Sequence, residues 1–160
     1  MNREIRPLDI TFSTASSKAA KQLYDRLCLI THIGGICTKL INNTGVPSVR
    51  GTLVKACLAK DRCFILTPPI SDEVLGVVYD DGVQPGDECR IVIAGVAELL
   101  LKDGTGSIRG NRAEVSDIPG RALAIGLHPN PNNSLIEVGH ILENKAPGIN
   151  VLALCFMQYC

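Results

Sequence analysis

Four acids crowd one short stretch of the chain. Asp80, Asp81, Asp87 and Glu88 stand in DDGVQPGDE, between an apolar run that ends at Tyr79 and a longer one that begins at Cys89. Paired carboxylates can act as general acid and base when their surroundings drive their pKa values apart. Gly82, Pro85 and Gly86 lie among these acids, however. Asp-Gly and Pro-Gly are turn formers, the glycine supplying positive φ and the proline a fixed φ. The turn chemistry favours acids that shape and solubilise a loop.

The cysteines are the second candidate. There are seven, at 28, 37, 57, 63, 89, 155 and 160, with histidines at 32, 128 and 140. A thiolate nucleophile needs a base and an orienting group beside it, and no local motif supplies them. Cys57 and Cys155 sit inside apolar runs and Cys89 begins one, which suits a buried thiol acting as a small hydrophobe. Zinc would want ligand pairs spaced as C-x(2–4)-C or H-x(3–5)-H. Cys57 and Cys63 are six apart and Cys155 and Cys160 five apart, so no metal is expected. GTGSIRG (104–110) lacks the Lys-Ser/Thr ending of a phosphate loop and the spacing of a dinucleotide fingerprint. It reads as a loop carrying Arg109 and Arg112. No cofactor and no catalytic residue are expected.

The elements that must hold these groups are mostly strands. Past residue 35, short apolar runs alternate with Gly, Pro, Asn and Asp. The runs are 36–41, 51–59, 63–66, 73–79, 89–101, 112–115, 121–127, 134–142 and 150–158. Strands at near-regular spacing between turn signals predict a mainly β fold, a compact β-barrel or sandwich. The runs ending in ELLL and SLIEVGHIL could be short helices, but Gly95 and Gly139 interrupt a helical register.

The first 35 residues have a different texture. Residues 1–12 show no period and read as an arm. Ser13 or Ser16 could cap a helix, on which Ala19, Leu23, Leu27 and Ile30 fall on one face at i, i+4, i+8 and i+11. Gly34-Gly35 ends that helix and marks a hinge. The division expected is an N-terminal arm and helix at 1–35 and a β body at 36–160.

Composition narrows the function. Sixteen Lys and Arg balance sixteen Asp and Glu, so charge gives no sign of nucleic acid or of a membrane surface as partner. Aromatic residues are 4% of the chain and Trp is absent, which leaves few platforms for stacking bases or sugars. No apolar run approaches the ~18 residues of a spanning helix, and MNREIRPLDI has no apolar centre of the kind a secretory signal carries. The cysteines are accordingly expected to be made in a reducing cytosol. Hydrophobic residues reach 46%. A neutral chain this apolar needs some of its surface covered, and association with its own copies would cover it.

From about residue 36 to 158 the sequence resembles phage head-decoration, or capsid cement, proteins. The likeness begins at INNTGVPSVRGTLVKA, where an Asn-Thr-Gly turn leads into an Arg-Gly-x-Leu-Val strand. It continues through EVLGVVYDDGVQPGDECRIVIAGVAELLL and ends in RGNRAEVSDIPGRALAI and IEVGHILENKAPGINVLAL. Each motif is short; their order over some 120 residues is the specific feature. The resemblance implies a β-rich body, commonly a homotrimer. It would sit at three-fold positions on the outer capsid surface of a virion made in the host cytoplasm, with the major capsid protein as partner. DDGVQPGDE then becomes a turn between strands, with Asp80 and Asp81 as candidate partner contacts beside the helix face of Ala19, Leu23, Leu27 and Ile30. Another virion part, such as a tail or spike adaptor, is the nearest alternative. A small Cys-dependent enzyme is a third reading from a different class.

Overall fold

A computed structural model describes residues 30–126 and 137–158, and all that is described is β structure and the loops between strands. The mainly β expectation therefore holds. The arm, the expected helix and its face residues Ala19, Leu23 and Leu27 lie outside the described residues, as do Cys28 and Cys160.

Eleven strands follow one another: β1 (Gly35–Asn42), β2 (Leu53–Ala56), β3 (Cys63–Leu66), β4 (Gly76–Val78), β5 (Glu88–Leu100), β6 (Thr105–Ser107), β7 (Arg112–Val115), β8 (Ala122–Ile125), β9 (Glu137–Ile141), β10 (Lys145–Gly148) and β11 (Leu152–Met157). Nine form one sheet in the order β1-β3-β2-β4-β5-β11-β9-β7-β8, and β6 and β10 pair separately. β1 also pairs antiparallel with β5, from Gly35 opposite Gly95 to Ile41 opposite Glu88. The pairings β1, β3, β2, β4, β5 thus return to β1 in a closed circuit. The remaining half, β5-β11-β9-β7-β8, comes back on itself where Leu101 bridges Ala122 and Lys102 N donates to Ala122 O at 2.8 Å. β5 belongs to both circuits because it is long enough for two sets of neighbours. Its first part pairs with β1 and β4, and its second, Gly95 to Leu100, with β11.

Successive residues of a strand point to opposite faces, and here both faces are covered. Val54, Phe64, Val78, Cys89 and Ile91 form one core cluster. Their chain neighbours Leu53, Val77 and Val92 belong to a second, which also takes in Leu99, Val115, Val138, Ile141 and Cys155. Burial on both faces is why Leu53-Val54, Val77-Val78 and Ile91-Val92 are apolar at successive positions and do not alternate.

The two halves of β5 meet at Gly95. Its φ is +80°, and a Cβ there would lie 2.5 Å from Gly34 O. Only glycine lets the turn before β1 approach this closely. That turn corrects the hinge expected at Gly34-Gly35. Gly34 N donates to Thr31 O at 3.1 Å and Thr31 N to Gly35 O at 2.8 Å. Gly35 N donates to Thr31 Oγ1 at 2.8 Å, and Ile30 bridges Ile36. Gly35 serves close packing against β5, and Gly34 supplies the positive φ of the turn.

Two strands escaped the sequence reading. GTGSIRG is not wholly loop: Thr105–Ser107 is β6, paired with β10 in KAPG. Arg112 is the first residue of β7, opposite His140 of β9.

Candidate functional site

The acidic loop leaves β4 and returns as β5. Gly82 and Gly86 take φ of +76° and +94°, as Asp-Gly and Pro-Gly turns require. Ser48 ties the loop down, donating from Oγ to Asp80 O at 2.6 Å and accepting from Val83 N at 2.9 Å. The Asp80 carboxylate accepts from the Arg90 backbone N at 2.9 Å, from its Nε at 3.0 Å and from Nη2 at 2.5 Å. Burial opposes ionisation of Asp80. Hydrogen bonds and charge from Arg90, with the charge of Arg50, outweigh it and hold the carboxyl below the usual range. Asp81 Oδ1 accepts from Arg50 N at 3.0 Å. Asp87 N donates to Gln84 O at 3.1 Å, and its carbonyl accepts from Asn42 N at 3.0 Å. Glu88 lies 4.0 Å from Arg62.

Tyr79, the residue before these acids, is the centre of the cluster. The guanidinium of Arg90 lies 4.6 Å from its ring centroid and that of Arg50 4.9 Å, within cation–π range. Its hydroxyl lies 2.9 Å from Nδ1 of His32, in the turn before β1. Arg50 reaches Glu98 at 3.3 Å. Asp80 is thus an ionised acceptor whose oxygens are already used, and a general acid needs a proton to give. The arrangement secures the loop to β5 and to the turn before β1.

The thiols divide by burial. Desolvation raises the pKa of Cys37 to about 11 and of Cys155 to about 12, and it raises that of Cys89. At neutral pH these three are protonated and pack as apolar groups. Cys57, at the end of the β2 run, is part-exposed and faces Cys63 across the β2–β3 hairpin. No group of three or more His, Cys, Asp or Glu is placed to hold a metal among the described residues. Two grooves are described, of about 180 and 270 Å³, below the ~300–1,000 Å³ of most small-molecule sites. The Arg109 backbone N is held by Asn144 Oδ1 at 2.7 Å, and Arg112 pairs with Glu137.

The other notable feature is apolar. Ile30 is 66% exposed, Ile36 52% and Phe156 45%. Register connects them: Ile30 bridges Ile36, Ile36 is opposite Ala94, and Val96 is opposite Phe156. Sequence reading placed 150–158 in a strand but did not ask which side faced out. The signal was there, since LALCFM is apolar at both parities. Ala153, Cys155 and Met157 are buried, so Leu152, Leu154 and Phe156 face the other way. Of the candidate contacts named from sequence, Ile30 lies at the edge of this stripe. Asp80 is engaged with Arg90, and Asp81 is exposed beside it.

No family model matches the chain, and no curated protein matches it. Among solved structures it is similar to the N base of the head fiber gp8.5 of bacteriophage phi29, with 13% identity and a TM-score of 0.49. The match covers 77% of this chain and 93% of that one. A likeness at that level passes no function to this chain.

Proposed function

We propose that this chain is a structural virion protein that decorates the outside of an icosahedral phage head. It bridges neighbouring major capsid proteins and assembles as a homotrimer. In this reading the closed circuit β1-β3-β2-β4-β5 is a small β-barrel that forms the rigid body of each subunit. The reading starts from the ordered sequence motifs between residues 36 and 158.

The observation that carries it is the stripe of exposed Ile30, Ile36 and Phe156, linked in register through the part-buried Ala94 and Val96. Solvent-facing apolar surface of this kind marks a protein contact, and a sheet face on a rigid body suits a static, mechanical one. The cluster around Tyr79 has its charges paired and its turn satisfied, which supports a scaffold role for the acids. Asp81 and the arm residues Ala19, Leu23 and Leu27 are the further contacts proposed.

The test is the mass of the purified chain in solution together with its binding to purified expanded capsids. A trimer that saturates capsids and raises their resistance to heat supports the proposal. A monomer that ignores capsids overturns it. A trimer that binds only tails or spikes moves the chain to the adaptor reading.

A further inference from the structure

The second feature with chemistry in it lies at the far end of the β2–β3 hairpin, away from Tyr79 and from the apolar stripe. The register Val54–Leu66, Lys55–Ile65, Ala56–Phe64 continues one step to Cys57 opposite Cys63. Cys57 N donates to Cys63 O at 3.0 Å, and Thr67 N to Leu53 O at 3.0 Å. Odd-numbered residues of β2 are therefore the hydrogen-bonded positions, where facing Cα atoms stand about 5.5 Å apart. A disulfide spans Cα atoms about 4.4–6.8 Å apart. Side chains of facing residues lie on the same side of a sheet, so the two sulfurs share one side. The two thiols are close enough for each to shift the ionisation of the other.

We infer that Cys57 and Cys63 are a redox-modified pair that forms a disulfide across the base of the 58–62 loop. The reaction is thiol–disulfide exchange with a small disulfide of the glutathione class. The Cys57 thiolate attacks one sulfur of that disulfide, makes a mixed disulfide and releases one small thiolate. Cys63 loses its proton, attacks the Cys57 sulfur and expels the second small thiol. Two protein thiols are oxidised and one small disulfide is reduced to two thiols.

The two cysteines are unlike in the way these steps need. Cys57 is part-exposed, and Asn43 Nδ2 donates to its sulfur at 3.3 Å. Cys63 is 3% exposed and donates from Sγ to Lys60 O at 3.0 Å. The Cys63 neighbour, with backbone donors of the loop, lowers the Cys57 pKa, while burial and the Cys57 neighbour raise that of Cys63. An accessible attacking sulfur beside a sheltered resolving one is the arrangement of redox-active pairs. The disulfide would also fix the loop that carries Leu58, 97% exposed. The inference does not depend on the capsid reading.

The experiment uses the full chain, reduced and then incubated with oxidised glutathione at neutral pH. The chain is expected to lose two hydrogens, read by intact mass. Trypsin cuts after Lys55, Lys60 and Arg62, so without reductant peptide 56–60 stays joined to peptide 63–90, with fragmentation placing the link on Cys63. Cys57 reacts roughly tenfold or more faster than Cys89 or Cys155. Cys63→Ser leaves a glutathione trapped on Cys57, and Cys57→Ser leaves Cys63 unmodified. A stable glutathione adduct on Cys57 of the native chain, a link to Cys89 instead, or a Cys57 that does not react would overturn the inference. The native-chain measurement stands even where a variant folds poorly.

Discussion

Asp80 shows what one carboxylate does in this loop. Its folded pKa is lowered, so its ion pair stabilises the chain above the unfolded carboxyl pKa of about 4, and that stability is lost as pH falls through the lower folded value. We predict that Asp80→Asn lowers stability at pH 7 by roughly 1 kcal/mol, a figure kept small because Arg90 is partly solvated. The gap from the parent should close on acidification, read from urea midpoints at several pH values. Glu114 has the opposite sign. Burial raises its pKa, so its charged form costs stability above the folded pKa and the cost is relieved below it. Glu114→Gln is expected to hold or raise the pH 7 midpoint, by about 1 kcal/mol at most, and to lose that advantage in acid. The turn role of the acids was legible in sequence because Gly82, Pro85 and Gly86 announce it. The partner of Asp80 was not, because Arg90 is placed only when β5 pairs with β4.

Strands carry the next set of expectations. Phe64 of β3 is wholly buried, and truncating a buried Phe costs about 3–5 kcal/mol. Phe64→Ala should therefore shift the unfolding midpoint far more than any loop substitution. Gly95→Ala meets both a strained φ, at about 1–2 kcal/mol, and the carbonyl of Gly34. We predict a cost above 2 kcal/mol and faster hydrogen exchange at Gly35 and Ile36, measured by mass spectrometry. The runs CFIL and RAEV became β3 and β7 with their bounds unchanged, because apolar and turn residues alternate sharply there. TGS and KAPG became β6 and β10 without warning. Gly106 and Pro147 contribute no side-chain period, and their pairing depends on distant backbone meeting across the fold.

At the scale of the molecule, the stripe from Ile30 to Phe156 is where association should be tested. Phe156→Asp puts a charge on an exposed apolar position. It is expected to leave the fold intact by circular dichroism while weakening self-association or capsid binding at least tenfold, because a charge buried in an interface must be desolvated. The arm calls for a cleaner cut than its glycines suggested. Deleting residues 1–29 spares Thr31, whose Oγ1 accepts from Gly35 N, whereas deleting 1–33 removes it. If the arm makes the capsid contact, the shorter deletion keeps a cooperative melt and loses capsid binding. Mainly β architecture could be read from the rhythm of runs and turns. The closing of strands into circuits could not, since that rests on β1 and β5, more than fifty residues apart at Gly35 and Gly95.

The position of β5 also imposes an order of events on a chain emerging from the ribosome. Every strand of the first circuit is available once residue 95 has emerged. The second half of β5 must then wait for residues 152–157, because β11 is its neighbour and separates it from β9. Through the synthesis of more than fifty intervening residues, Val96 to Leu100 has one edge without its partner. A strand edge left unpaired is a template for another chain. Neighbouring nascent copies on one message would meet at that edge, so slow translation after Leu101 should increase misassembly while slow translation before Glu88 should not.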